Sequence, residues 1–264
     1  MLDYIGLEDK VCTILRRVKK TYFDENKRSF KQLDIKGLNQ LVTDMDVAVE
    51  KEIIASLTPL LDADFLAEES GESKGNKPFR WILDPIDGTT NFVHGIPVYS
   101  ISLALQHSGI TVGAWVYEIN RDELFTATDQ TAARCNGVEI SVSSSENFND
   151  CLIATGFPYY TFEHKDHFDR ILNYCIMNTR GVRRLGSAAV DLAYVACGRF
   201  DAFFEFDLSP WDVAAGAYLV ERAGGKVSDF KGVGGNIPIF GAQILAGQSK
   251  IFDGFLEEIG RLGE

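Results

Sequence analysis

The segment Trp81-Ile82-Leu83-Asp84-Pro85-Ile86-Asp87-Gly88-Thr89-Thr90-Asn91 holds the residue types best suited to chemistry in this chain. Two carboxylates three apart straddle a proline that fixes the backbone, and a Gly-Thr-Thr follows whose amides and hydroxyls can seat an anion or cap a helix. A divalent cation held by carboxylates, with a phosphate beside it, is the chemistry such a string suggests. A bland reading makes Asp87 the start of a turn, Gly88 its positive-φ residue and Thr89 a helix cap. Two other short apolar runs end in acid or lead to it. Phe65-Leu66-Ala67 runs into Glu68-Glu69, and Ser209-Pro210-Trp211 leads to Asp212, which alone would read as an N-cap.

These residues need elements to bring them together. Val11, Ile14, Leu15, Val18 and Tyr22 recur at helical spacing, as do Ile53, Ile54 and Leu57 after an N-cap candidate at Thr43 or Asp44, so two amphipathic helices open the chain. Between them the polar, basic stretch 28–40 suggests a hairpin or loop. Strand signals over 99–106, 110–117 and 123–127, then the Asn136-Gly137 turn before Val138–Val142, predict an antiparallel meander. Beyond the polar stretch Ser143–Asn149, strands alternate with helices: strands at 151–155, 181–185, 201–205, 225–229 and 244–247, helices at 166–178, 187–197, 212–223 and 249–261. The expected fold is α+β followed by α/β, in two units, 1–145 and 146–264.

With 264 residues, 45% hydrophobic and 24% charged, the chain has the make-up of a globular protein, which excludes disorder, collagen and coiled coil. Its 38 acidic against 26 basic residues give a net charge of −12, so nucleic acid and anionic lipid are not expected as primary partners. Cys12, Cys135, Cys151, Cys175 and Cys197 form no CxxC pair and fit reduced thiols in a cytoplasm. The opening residues 1–6 lack a basic and apolar leader, and no window approaches 18 apolar residues, so neither export nor a membrane span is expected.

The sequence resembles the inositol monophosphatase family, within the magnesium-dependent, lithium-sensitive phosphomonoesterases that include fructose-1,6-bisphosphatases. Phe65-Leu66-Ala67-Glu68-Glu69-Ser70, Asp84 through Phe92, and Ser209-Pro210-Trp211-Asp212-Val213-Ala214-Ala215-Gly216 carry the resemblance. Leu41–Asp46 and Arg183–Ala189 extend it over essentially the whole chain. It implies a layered αβαβα sandwich, a homodimer, and a small phosphomonoester as substrate. It also implies that Glu68, Asp84, the Ile86 carbonyl, Asp87 and Asp212 hold Mg²⁺, whose preference is for oxygen ligands. By the same resemblance, Glu68 and Thr89 orient an attacking water, Asp46 supports the Thr89 hydroxyl, and the Gly88 and Thr89 amides clamp phosphate without a covalent intermediate.

The alcohol side is implied to involve Glu205, the helix-opening Gly186-Ser187-Ala188, and Arg183 rather than Arg184, since neighbours on a strand face opposite ways. Asp87 and Asp212 are also expected near the substrate, and Lys36 near the metals. The expected activity is hydrolysis of inositol monophosphate or a similar polyol phosphate. Fructose-1,6-bisphosphate, histidinol phosphate or a 3′-phosphonucleotide are alternative substrates, and a catalytically silent metal-binding or interaction module is a reading from another class. Intact Glu68, Asp84, Asp87, Thr89 and Asp212 argue against the last.

Overall fold

Asp3 caps the first helix, α1 (Tyr4–Val18), by accepting from the Gly6 amide at 3.0 Å, and a π-helical turn continues it through Asp24. This computed structural model describes residues 2–24, 33–37, 40–73, 75–158 and 162–263, with 33–37 and 40–42 described in backbone only. The expected hairpin in the 28–40 stretch appears as β1 (Leu33–Gly37) paired antiparallel with β2 (Gln40–Thr43), while 28–32 and the side chain of Lys36 lie outside the described residues. Thr43 then caps α2 (Asp44–Leu57) in a capping box closed by Asp46, as its side-chain oxygen and the acid three residues on would dictate.

Eight strands make the larger sheet: β3 (Asp64–Ala67), β4 (Gly71–Glu72), β5 (Phe79–Asp87), β6 (Ser100–His107), β7 (Ile110–Glu118), β8 (Glu123–Thr128), β9 (Thr131–Cys135) and β10 (Val138–Glu139). Their order is β10-β9-β8-β7-β6-β5-β3-β4, antiparallel except where β3 runs parallel to β5. The meander is there, with β9 as a strand the sequence reading passed over and β10 shorter than the Val138–Val142 run suggests. A short helix, α3 (Thr89–His94), follows β5 directly.

Five more strands form the second sheet, in the order β12-β11-β13-β15-β14: β11 (Leu152–Thr155), β12 (Gly181–Arg183), β13 (Ala202–Phe206), β14 (Gly225–Ser228) and β15 (Gln243–Gln248). Here β11 is parallel to both β12 and β13, whereas β15 runs antiparallel to β13 and β14. Its helices are α4 (Lys165–Asn178), α5 (Ala188–Ala196), α6 (Pro210–Arg222), α7 (Asn236–Phe240) and α8 (Ser249–Gly263). The five-residue α7 carried no periodicity long enough to read.

The layers follow from which faces are apolar. Helices α1 and α2 bury Val11, Leu15, Val49 and Ile53 against Trp81, Leu103 and Trp115 on one face of the large sheet. On its other face α5 and α6, built largely of alanine, valine and leucine, are buried on all sides because the second sheet covers them from beyond. Helices α4 and α8 close that sheet's outer face around Phe204 and Phe255. The result is the expected αβαβα sandwich. Among the described residues no helix is long and apolar enough to cross a membrane.

Candidate active site

Successive side chains on a regular strand point to opposite faces, so Asp84 and Asp87, three apart, could not serve one site from an unbroken β5. The pairing of β5 with β6 is irregular between these two residues, where Pro85 has no amide to donate. The Ile86 amide turns inward instead and donates to Asp84 Oδ1 at 2.9 Å. Asp87 is held chiefly from the helix layer packed against this sheet. Its Oδ2 accepts from the Ser187 hydroxyl and, at 2.8 Å, from the Ala189 amide in the first turn of α5, with the Ser100 hydroxyl at 3.5 Å.

Asp212 arrives from a third element, the first turn of α6, where its Oδ2 accepts from the Ser209 amide at 2.7 Å. Its capping role and its place in the site are thus compatible. Asp84, Asp87 and Asp212 converge, each offering a carboxylate oxygen within 4.8 Å of the others. Burial pushes all three carboxyls up, with carboxylate repulsion added at Asp84 and Asp212 and hydrogen bonds opposing at Asp87: Asp84 lies well above the ordinary range, Asp87 at about 6 and Asp212 at about 7. For Asp84 the repelling neighbours are Glu68, Asp87, Asp212 and Asp46, in that order after burial. Carboxylates packed this way fit a divalent cation, which supplies the charge that their surroundings lack.

Glu68 lies just beyond the end of β3, where its amide donates to the Leu83 carbonyl at 3.1 Å. The turn it opens is clamped by Glu50 of α2, whose two carboxylate oxygens accept from the Glu69 amide at 2.8 Å and the Ser70 amide at 2.9 Å. On the same helix face, one turn earlier, Asp46 is fully buried. It accepts from the Thr43 amide and hydroxyl and, at 3.1 Å, from the Thr89 hydroxyl, which also lies 3.0 Å from the Ile86 carbonyl. Gly88 precedes Thr89 at φ +98°, and a Cβ there would come within 3.0 Å of the Gly186 carbonyl, so both conformation and space require glycine.

A cavity of about 440 Å³ joins these groups. Glu68, Asp84, Ile86, Asp87, Gly88, Thr89 and Asp212 line it, together with Gly156, Phe157, Arg184, Gly186, Ser187, Ala188, Asp191 and Glu205. Glu205 comes from β13 and fills the space over Gly156, where a Cβ would fall 1.8 Å from its Oε1. Burial, then the charge of Asp212, holds its carboxyl well above the ordinary value, with Arg184 opposing.

A model of the inositol monophosphatase family matches residues 4–261. The chain belongs to that family. Nus factor SuhB of Pseudomonas aeruginosa is 39% identical over 243 residues, 88% of this chain and 89% of that protein. The extragenic suppressor protein suhB of Bartonella henselae has the same fold, with a TM-score of 0.90 and 35% identity covering 96% of this chain and 98% of that one. The Thermotoga maritima IMPase superposes with a TM-score of 0.87 at 32% identity, over 99% and 98% of the two chains.

Against the family expectation, the structure brings together Asp46, Glu68, Asp84, Ile86, Asp87, Gly88, Thr89, Gly186, Ser187, Ala188, Glu205 and Asp212, and leaves Arg183 out. β12 ends at Arg183, whose exposed guanidinium turns back to the Val182 carbonyl at 3.1 Å. Arg184, beyond the strand end, is the arginine that lines the cavity; it passes over Phe157 at 5.5 Å and beside Gly186, where a Cβ would meet its Nη1 at 2.9 Å. The alternation argument failed because the strand stops two residues short of the predicted 185. Asp191, Glu50 and Ser100 were also missed. Glu50 carried a readable signal, four residues after Asp46 and so on its helix face.

Proposed function

We propose that this chain is a Mg²⁺-dependent phosphomonoesterase whose leading substrate is inositol monophosphate or a closely similar polyol monophosphate. The observation that carries the reading is that one cavity is lined both by three convergent carboxylates beside Thr89 and by Glu205 with Arg184. Asp84, Asp87, Asp212, Glu68 and the Ile86 carbonyl would hold the ions, all through oxygen, as magnesium prefers. When bound, magnesium neutralises the phosphate oxygens, eases ionisation of water and stabilises the departing alkoxide.

The chain's own residues supply position and protons. A Thr89 hydroxyl whose proton is engaged by Asp46 or the Ile86 carbonyl turns its free lone pairs to the cavity, where they accept a hydrogen bond from the attacking water. Glu68 is placed to take a proton from that water, and the turn carrying it is fixed by Glu50. Water attacks phosphorus in line, the P–O bond to the alcohol breaks, and the alcohol leaves towards Glu205. The amides of Gly88 and Thr89, residues that line the same cavity, would clamp the phosphate. The net charge of −12 agrees with a small-molecule substrate rather than a nucleic acid, and the reading includes a lithium-sensitive, cytoplasmic homodimer.

A phosphate-release screen over a panel of phosphomonoesters, with Mg²⁺ and with excess chelator, tests this. Inositol 1-phosphate should rank first and chelator should stop turnover; persistence in chelator would end the reading. Fructose-1,6-bisphosphate, histidinol phosphate or a 3′-phosphonucleotide ranking first would hand the cavity to that alternative. Similarity to Nus factor SuhB of Pseudomonas aeruginosa favours a second reading, that the chain serves as a Nus factor. Asp84→Asn separates the two, since it should stop phosphate release while leaving intact a role carried by the surface.

A further inference from the structure

Helix α5 does more than steady Asp87. Ser187, its N-cap, and Asp191, four residues on, lie on one face, so the turn that delivers Ser187 to Asp87 also delivers Asp191 to the cavity. Asp191 is 1% exposed, in a helix whose other residues are apolar. Its Oδ1 is buried and has no hydrogen-bond partner among the described residues. Five other acids in or beside the site differ in this. Asp46, Asp87 and Glu50 each accept two or more hydrogen bonds from fixed amides or hydroxyls, and Asp84 and Asp212 each accept one from a neighbouring amide.

A buried acceptor left without a donor is costly and persists where something else satisfies it. The charged groups whose fields reach Asp191 are Glu205, Asp87 and Arg184. The carboxyls of Asp191 and Glu205 with the Arg184 guanidinium make poor company for a second anion and good company for hydroxyls, which donate to carboxyl oxygens and accept from the guanidinium. The missing side chains of Gly156 and Gly186 let the Glu205 carboxyl and the Arg184 guanidinium sit against the cavity wall.

Resting on the phosphomonoesterase reading, we propose that Asp191 is a specificity-determining residue that accepts a hydrogen bond from a hydroxyl of the leaving alcohol, a different hydroxyl from the one that Glu205 takes. The substrate class is then narrowed to monophosphates of neutral polyols that carry a hydroxyl two or more carbons away from the esterified one. Glycerol 2-phosphate, with two short arms, reaches Asp191 less well than a ring polyol.

Asp191→Asn and Asp191→Ala, assayed with Mg²⁺ on inositol 1-phosphate and glycerol 2-phosphate, decide the matter. The KM for inositol 1-phosphate should rise roughly tenfold in the alanine variant, as expected for losing a hydrogen bond to a charged acceptor, with the KM for glycerol 2-phosphate moving less than about twofold. Binding of free myo-inositol, followed by calorimetry, should weaken in parallel, and the melting temperature should hold or rise because an unpartnered buried oxygen is gone. A lowered melting temperature with equal losses on both esters makes Asp191 a structural residue and overturns the proposal, as does an unchanged KM ratio. Should alanine not fold, the near-isosteric asparagine gives the same comparison. A wild-type chain inert towards inositol 1-phosphate but active on glucitol 6-phosphate removes the substrate assignment alone, and the Asp191 ratio is then read on that ester.

Discussion

Stripping divalent metal from this protein should make its stability fall as pH rises through neutrality, the reverse of what paired surface carboxylates produce. Aspartate in an unfolded chain titrates near 3.9, whereas burial pushes Asp87 to about 6, and burial with repulsion from Asp87 pushes Asp212 to about 7. Both folded-state values lie above the unfolded one, so the folded state holds the protons more tightly. The resulting stability is fully present below about pH 4 and is lost as pH climbs through 6 and then 7. The two displacements together come to about five units, which at about 1.4 kcal/mol each is on the order of 7 kcal/mol. Asp84, Asp191 and Glu205 shift in the same direction and deepen the trend. At roughly 2 °C per kcal/mol for a chain of this size, the melting temperature in chelator should drop by on the order of 10 °C between pH 5 and pH 8. Saturating Mg²⁺ should abolish or invert the slope, since the ion binds the ionised carboxylates of the folded state alone. Differential scanning calorimetry across that range, with and without Mg²⁺, reads both arms. A chelated protein whose melting temperature is flat from pH 5 to pH 8, or one that Mg²⁺ does not stabilise at pH 8, would refute the reasoning.

Asp84→Asn should cut kcat by about a hundredfold or more and also raise the melting temperature in chelator, because one of the repelling charges is removed; a stopped-assay rate and a melt on the same preparation check both. Thr89→Ala should lower kcat steeply at a stability cost of about 1 kcal/mol, with Thr89→Ser restoring much of the rate, whereas a destabilised alanine variant with full turnover would reduce Thr89 to a cap. Glu205→Gln should raise KM for inositol 1-phosphate by the equivalent of about 1–3 kcal/mol while sparing glycerol 2-phosphate, and equal effects on both esters would make it a metal-site or folding residue. Glu50→Ala, which frees the Glu69 and Ser70 amides, should raise the Mg²⁺ concentration needed for half-maximal rate more than it lowers kcat at saturating Mg²⁺.

What could be read from the chain alone was whatever its local chemistry makes unusual. Asp84-Pro85-Ile86-Asp87-Gly88-Thr89 announces itself because a proline between acids and a glycine before a threonine serve no regular strand or helix, and the structure shows a broken β5 register and a positive φ at those points. The periodicity of α1 and α2 and the meander were legible because each has one apolar face. Residues defined by partners distant in sequence were not. Asp46 could pass for a solvated helix charge until α3 placed Thr89 on it, 43 residues away. Arg183 and Arg184 exchanged roles over the position of a strand end, which backbone pairing between β11 and β12 decides and side-chain alternation does not. Ser100 sits in an unremarkable stretch of β6 and reaches Asp87 only because the strands pair.

Whether a buried acid is satisfied by the protein itself separates the acids of this cavity more sharply than charge does, since every acid there carries the same formal sign. The carboxylates in and beside the metal site are fixed by donors from the backbone and from hydroxyls: Asp84 by Ile86, Asp87 by Ser187 and Ala189, Asp212 by Ser209, Asp46 by Thr43 and Thr89. For Asp84, Asp87 and Asp212 the donors hold one oxygen and leave the second for a cation, which needs that rigidity because its ligand distances vary little, whereas both oxygens of Asp46 are taken. Asp191 Oδ1 has no such donor among the described residues. A hydroxyl brings its own proton and its own rotational freedom, so an acceptor meant for it gains from being left open when the site is empty. The same helix turn serves both: the amide of Ala189 is committed to Asp87, and two residues later Oδ1 of Asp191 has no hydrogen-bond partner among the described residues. On this view α5 ties substrate choice to metal geometry mechanically. A substitution that tilts its first turn, such as Ser187→Ala, which deletes both the cap and a donor to Asp87, should disturb Mg²⁺ affinity and polyol discrimination together, where Asp191→Asn disturbs the second alone.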